Sequence, residues 1–260
     1  MSNMSSRLTF LLAFLSLAVP LRADEATSKV RVATYNIAFG SMGTPEQIGE
    51  MLKSYDLDVV GLCEVPAGDW SARLGKVLGM EHVYVGQHSP LGYKDKYKSI
   101  VSRTPLSDTR EYHLGQGWSA VAARTTVRGV PLSIYSLHVG GRAEGHQKEL
   151  ATKILPEDKS DNVLMMGDFN SVVGRNRVKR NPEGMSWLLK AGMRPTWTDL
   201  KFDVEQHFTL DTTDRNSLKL YGVIDHILIG PKSKLKASRG GIIELEKPLS
   251  DHKPVWAELE

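Results

Sequence analysis

Short apolar runs that each meet a carboxylate, an amide or an imidazole at one end restrict the fold of this chain more than any other feature. The run 30–37 carries Asn36 at its close, and 57–62 is followed by Glu64. The run 132–137 leads into His138, and 162–166 leads into Asp168 and Asn170. Asp225 and His226 interrupt 223–229, and Asp251 and His252 stand just before 254–259. Apolar runs of this length read as strands buried on both faces. Polar groups beside them are costly unless something pairs with them. A single such residue reads as a turn cap or a satisfied histidine. The full set implies strands whose ends converge on one rim, with carboxylates, amides and imidazoles gathered there.

The remaining runs fit the same picture. Residues 83–85, 99–102 and 120–127 read as further strands. Thr44 is placed to cap a helix running to about Tyr55, with Glu46 and Gln47 in its first turn. Residues 70–78 read as a helix closed by Gly79, 144–155 as one stopped by Pro156, and 185–191 as one closed by Gly192. The order is mixed α/β without regular βαβ alternation after the midpoint. It predicts two mixed or antiparallel sheets packed face to face with helices outside.

The N-terminus is of another kind. Arg7, the apolar run 8–19, and the stretch Pro20-Leu21-Arg22-Ala23 before Asp24 describe a secretory signal peptide over 1–23. Residues 28–260 are then expected to form one domain, without linker or internal repeat. After cleavage the protein is expected to be secreted or periplasmic, without stable membrane insertion, and monomeric. The formal charge is +3, so no strong net field selects a polyanionic partner, and electrostatic arguments rest on local clusters. The one cysteine, Cys63, excludes an intrachain disulfide and a cysteine-rich zinc site. Its neighbours Val59, Val60 and Leu62 imply a buried thiol.

The residue types at the rim also select a metal. Carboxylates and amides without a cysteine cluster favour a hard cation, Mg²⁺ or Mn²⁺, which binds through one or two carboxylates plus a phosphate. Histidines are zinc ligands too, but there is no HExxH pair or close His pair. Imidazoles beside a hard cation suit phosphate chemistry, as donors to phosphoryl oxygens or as proton carriers.

The segments TYNIAFG (34–40), LCEV (62–65), YSLH (135–138), GDFNS (167–171), IDHI (224–227) and SDHKPV (250–255) occur in this order. Together they resemble the endonuclease/exonuclease/phosphatase superfamily, metal-dependent phosphoesterases that include pancreatic deoxyribonuclease. The resemblance runs from residue 30 to the C-terminus. It implies a four-layer α/β/β/α sandwich. It also implies that Glu64 binds the Mg²⁺, with Asn36 beside it and Asp251 completing or supporting the site. Asp168 would orient and deprotonate the attacking water, and Asn170 would hold the scissile phosphate or the nucleophile. His252, oriented by Asp225, and His138 would contact phosphoryl oxygens and assist proton transfer. The segment Tyr93-Lys94-Asp95-Lys96-Tyr97 is similar to one of the pancreatic-type enzymes, where the acid orients the histidine matching His138. The similarity therefore implies that Asp95 is the partner of His138.

Two basic clusters flank the expected site: Lys94, Lys96, Lys98 and Arg103, then Arg175, Arg177, Lys179 and Arg180. Tyr93, Arg103 and Arg175 are the expected substrate contacts. Ala38 and Pro66 stand where the deoxyribonucleases carry DNA-contacting arginines, which weakens a duplex reading. Trp118 and Trp197 read as core residues before stacking platforms. The lead expectation is a secreted Mg²⁺-dependent nuclease or related phosphodiesterase, with nucleic acid as substrate. A phosphatase or phospholipase-type enzyme acting on an inositol, lipid-linked or small phosphoester is the first alternative, and a phosphate-binding module of the same fold the second.

Overall fold

The computed structural model describes residues 29–89, 94–115, 118–140, 144–173, 184–210 and 222–260. The expected signal peptide, Tyr93, and the whole second basic cluster with Arg175 lie outside them. The strands are β1 (Val30–Asn36), β2 (Val59–Val65), β3 (His82–Val85), β4 (Tyr97–Ser102), β5 (Ser107–His113) and β6 (Ser119–Val127). They continue with β7 (Val130–His138), β8 (Val163–Asp168), β9 (Arg194–Pro195), β10 (Asp225–Ile229), β11 (Ala237–Ile242) and β12 (Val255–Leu259). One sheet has the order β11-β12-β1-β2-β4-β3, and the other β5-β6-β7-β8-β10-β9.

The central strands are apolar on both faces because both faces are covered. Val30 and Val32 of β1, Leu132 and Ile134 of β7, Leu164 and Met166 of β8, and Ile227 and Ile229 of β10 pack together between the sheets. The alternate residues point outward under helices. Ala33, Tyr35, Val60 and Leu62 meet α1 (Pro45–Lys53) and α2 (Trp70–Leu78) through Ile48, Leu52, Leu74 and Leu78. Tyr135, Leu137, Val163 and Met165 meet Leu150, Ile154, Leu155, Met185 and Leu188. The last five come from the π turn Leu150–Ile154, which continues α3 (Glu144–Glu149), from α4 (Leu155–Glu157) and from α5 (Gly184–Lys190). The helix α6 (Thr196–Leu200) sets Trp197 into the core between the sheets. The layers are therefore helix, sheet, sheet, helix, as expected.

Local chemistry accounts for the boundaries. Thr44 caps α1 in a reciprocal box: its hydroxyl accepts the Gln47 amide at 3.2 Å, and the Gln47 side chain accepts the Thr44 amide at 2.9 Å. Pro156 does not stop the helix of 144–155. It falls in α4 directly after the π turn, and helical backbone continues to Glu157. β5 and β11 are strands without a clear apolar alternation. β5 (SDTREYH) is an edge strand, largely exposed, whose charges discourage pairing with another chain.

Register sets the site. β1 and β2 run parallel with Asn36 opposite Cys63, and β7 and β8 run parallel with His138 opposite Asp168. β10 runs antiparallel to β8 with Asp225 opposite Asp168. The carboxyl ends of four central strands and the start of a fifth thus share one rim.

Candidate active site

Three backbone irregularities aim the side chains at this rim. Between Leu62 and Val65, β2 carries one more residue than β4 opposite it, and Glu64 takes a left-handed conformation at φ 54°. Such a bulge re-aims a side chain at the cost of local strain. Gly167 sits at φ 148°, where a Cβ would collide with the Leu137 carbonyl. Only glycine lets β8 approach β7 this closely just before Asp168. Asn170 is left-handed at φ 46°, and its amide N–H donates to Asp168 Oδ1 at 2.8 Å. Asparagine tolerates that conformation better than most residues.

Asp168 lies at the centre and is buried. Its Oδ2 accepts from Asn36 Nδ2 at 3.2 Å and from Asn170 Nδ2 at 3.3 Å. The same oxygen is 3.2 Å from His138 Nε2 and 3.8 Å from His252 Nε2. Burial alone would raise its pKa. The positive charges of His138 and His252 and the hydrogen bonds overcome that and hold it at about 2.

His252 is fixed from its other side. Asp225 Oδ2 is 2.9 Å from its Nδ1, and both groups are buried. Burial disfavours the imidazolium, yet the charges of Asp225 and Asp168 outweigh it and push its pKa up to about 10. Burial pushes the Asp225 carboxyl the opposite way, upward, and its Oδ1 is buried without a hydrogen-bond partner among the described residues. The loop carrying His252 is tied to β1, because Ser250 Oγ donates to the Asn36 carbonyl at 2.7 Å. It is tied again where the Lys253 amide donates to the Thr209 carbonyl at 2.7 Å. Asp251 is exposed beside Ser250.

His138 differs from His252 in its carboxylates. Its Nδ1 faces Glu64 Oε1 at 3.6 Å, and its Nε2 is shared between Asp168 and Asn170 Nδ2, the latter at 3.2 Å. The edge of Trp118 packs on the imidazole at 4.5 Å between centroids. Asp95 is therefore not the partner of His138: the ring nitrogens are engaged by Glu64 and by the Asp168 pair, and Asp95 Oδ1 is buried with no hydrogen-bond partner among the described residues. The bulge at Glu64 explains the exchange, because it swings that carboxylate over to the imidazole.

The first basic cluster divides by strand direction. Lys96 Nζ stands 3.5 Å from Glu64 Oε1, at the rim. Lys98 is wholly buried, and its Nζ donates to the carbonyls of Lys96 at 3.2 Å and His88 at 3.4 Å. Burial lowers its pKa to about 8. Arg103 is not a substrate contact. β4 runs antiparallel to β2, with Tyr97 opposite Val65 and Ser102 opposite Val59. Arg103 thus emerges at the far end of the sheet, about 20 Å along the strand from Tyr97. There it binds the Leu57 carbonyl at 2.8 Å and Asp56 at 3.3 Å.

Residues that sequence reasoning left without a role hold the loop after β8. Gln147 Nε2 donates to the Phe169 carbonyl at 3.0 Å and to Ser171 Oγ at 3.2 Å. His226 is buried and neutral, with burial lowering its pKa to about 4. Trp197 Nε1 donates to its Nδ1 at 3.0 Å, and its Nε2 lies 2.8 Å from the Ser171 carbonyl, so the proton sits on Nε2. Trp197 is a core residue, as expected. The IDHI segment carried a signal for His226, but a signal indistinguishable from a core histidine. Nothing near Gln147 marked it.

The oxygen donors fit a hard divalent cation. Glu64 is partly open, and among the described residues its carboxylate makes long contacts to Lys96 and His138. Asp168, Asp225 and His252 bring three potential ligand atoms within 4.8 Å of one another. No thiolate competes: Cys63 is buried, its Sγ donates to the Leu137 carbonyl at 2.9 Å, and burial raises its pKa well above normal. Asn36 faces inward, donating to Asp168 and accepting the Ala38 amide at 3.1 Å.

A family model described as the Endonuclease/Exonuclease/phosphatase family matches residues 33–252. Exodeoxyribonuclease III of Haemophilus influenzae is 25% identical over 276 residues, covering 89% of this chain and 100% of that protein. An endonuclease/exonuclease/phosphatase structure from Beutenbergia cavernae superposes with a TM-score of 0.72 at 20% identity, covering 90% of this chain and 72% of that one. D. rerio TDP2, solved with a single-strand DNA product, superposes with a TM-score of 0.65 at 15% identity, covering 90% and 99%.

Proposed function

Because the chain belongs to the endonuclease/exonuclease/phosphatase family, whose members are hydrolases of phosphoesters, we propose that it is a divalent-metal-dependent phosphodiesterase that cuts nucleic acid by in-line attack of water. The observation that carries this reading is Asp168, a buried carboxylate held ionised between two imidazoles and two amides. Buried titratable groups perturbed by close charged partners cluster at functional sites.

Glu64, supported by the rim carboxylates, would hold the cation. A bound Mg²⁺ or Mn²⁺ supplies charge neutralisation on the phosphoryl oxygens and the leaving oxygen. Asp168 orients the attacking water through its oxygens. A carboxylate held at about 2 keeps a proton poorly. Its role is therefore alignment, and His138 Nε2, 3.2 Å from the same carboxylate, takes the water proton when that imidazole is in its neutral form. His252, kept as imidazolium by Asp225, donates to a non-bridging phosphoryl oxygen as negative charge grows there. Asn170 Nδ2, which also reaches the Val139 carbonyl at 2.9 Å, is fixed for the same task. Asp251, exposed at the rim, supports the cation through solvent. Export through the segment 1–23 belongs to the same proposal.

The test uses the purified chain on plasmid, RNA, single-stranded oligonucleotide, phosphoinositide, sphingomyelin and small phosphodiesters, with Mg²⁺, Mn²⁺ or chelator. Asp168→Ala is the control. Nucleic-acid cleavage that requires the cation and Asp168 supports the reading. Turnover confined to lipid or inositol esters, or binding without turnover, overturns it.

A further inference from the structure

The loop after β1 presents an aromatic ring at the rim. Ala38, Phe39 and Gly40 all take positive φ, at 47°, 49° and 68°. Two successive non-glycine residues in this conformation are strained, and such strain persists where surrounding structure enforces it. Here it is enforced. The Ala38 amide donates to Asn36 Oδ1, the Gly40 amide to the Ile37 carbonyl at 2.9 Å, and the Ser41 amide to the Ala38 carbonyl at 3.0 Å. Gly40 itself lies against Trp70 and Pro66. The loop so held leaves Phe39 41% exposed. Among the described residues the exposed large apolar side chains are Phe39, Met42 and Leu189, and two of these share this loop.

The ring stands next to the hydrolytic centre. Lys96 Nζ is 5.3 Å from the Phe39 ring centroid and 3.5 Å from Glu64 Oε1. The Asn36 side chain accepts from the loop at Ala38 and donates to Asp168, so one residue connects platform and reacting centre. We propose that Phe39 is a stacking platform for an unpaired nucleobase next to the scissile phosphodiester, with Lys96 placed between ring and rim to contact the backbone of that nucleotide. This rests on the nuclease reading above. Planar π-faces are what every base offers to an aromatic ring, and they are open only in single strands or at frayed ends. The rigid loop lowers the entropy lost on binding. Two apolar side chains beside a lysine are too small an area for docking to a bilayer.

The experiment compares the full-length wild type with Phe39→Ala and Phe39→Trp in Mg²⁺. The substrates are single-stranded oligonucleotides that differ at the nucleotide next to the cut: one carries a normal base, the other is abasic. Phe39→Ala is expected to raise KM about tenfold on the base-bearing strand, with kcat nearly unchanged and no effect on the abasic strand. Phe39→Trp restores the wild-type KM. In a binding arm on the Asp168→Ala background, 2-aminopurine at that position is quenched with Phe39 present and not after Phe39→Ala. Equal KM values for wild type and Phe39→Ala on both strands overturn the inference while leaving the nuclease reading intact. So does a Phe39→Ala defect confined to binding of sphingomyelin–phosphatidylcholine vesicles, which would identify a membrane contact. A wild type that cleaves plasmid or RNA but neither of these strands overturns this inference alone, and one that cleaves no nucleic acid overturns the nuclease reading with it. Equal melting temperatures exclude a folding effect, since the ring is exposed.

Discussion

Two imidazoles face the same buried carboxylate, and the fold treats them differently. His252 has Asp225 at 2.9 Å behind it and Asp168 at 3.8 Å in front, and its cation persists to about pH 10. His138 has its own carboxylate, Glu64, only at 3.6 Å, and shares the front position with Asn170. Moreover, Glu64 is the group that a hard cation would claim. One imidazole thus has a carboxylate of its own at hydrogen-bond distance, while the other shares its partners with the rest of the rim.

The largest effect tests what the two share. Asp168→Ala is expected to lower kcat/KM by at least ~10³-fold while circular dichroism still shows a folded chain; retention of activity would remove the centre of the comparison. Next, Asp225→Asn should cost about 10–10²-fold and move the alkaline limb of the pH–rate profile from near 10 towards neutrality, because the imidazolium loses its largest attractive partner. An unchanged limb would mean that another group sets it. Glu64→Gln should leave that limb in place and raise the Mg²⁺ concentration for half-maximal activity by about 10–100-fold. If both variants shift the same parameter, the two imidazoles are not separate devices.

Stability offers a quieter measure. The raised pKa of His252 contributes stability that is complete below about 6.5 and lost as pH rises through about 10. The lowered pKa of Asp168 contributes stability present above about 3.8 and lost as pH falls towards about 2. Thermal melts should show a plateau between these windows, and Asp225→Asn should flatten the alkaline side alone. The smallest effect is expected from Arg103→Ala, with turnover within about twofold of wild type, because the arginine lies at the opposite end of β4. A large loss would contradict the strand direction.

The strand ends at the rim were legible because each combined an apolar run with one out-of-place polar group. Asn36, Glu64, His138, Asp168, Asn170, Asp225 and His252 all met this description, and β-strand register brings them together. Arg103 shows where that reading stops. A basic residue near a motif in sequence is carried away by an antiparallel strand, and composition holds no record of direction. The Asp95 pairing failed for another reason, since a one-residue bulge at Glu64 is invisible in the run LCEV. β5 was missed because an edge strand is protected by charge rather than announced by apolar alternation. Gln147 acts through two hydrogen bonds from a helix, with nothing in its surroundings to set it apart from a surface glutamine.

Cys63 follows from the same geometry with a practical outcome. Its thiol is enclosed between the sheets, one residue from Glu64, and donates to Leu137 of the opposite sheet. A thiol reagent can reach it only when the two sheets part. The labelling rate of this one sulfur therefore counts separations of the sandwich at the rim. The protein carries its own probe of breathing, and a substrate or cation that bridges the sheets should announce itself by slowing the modification.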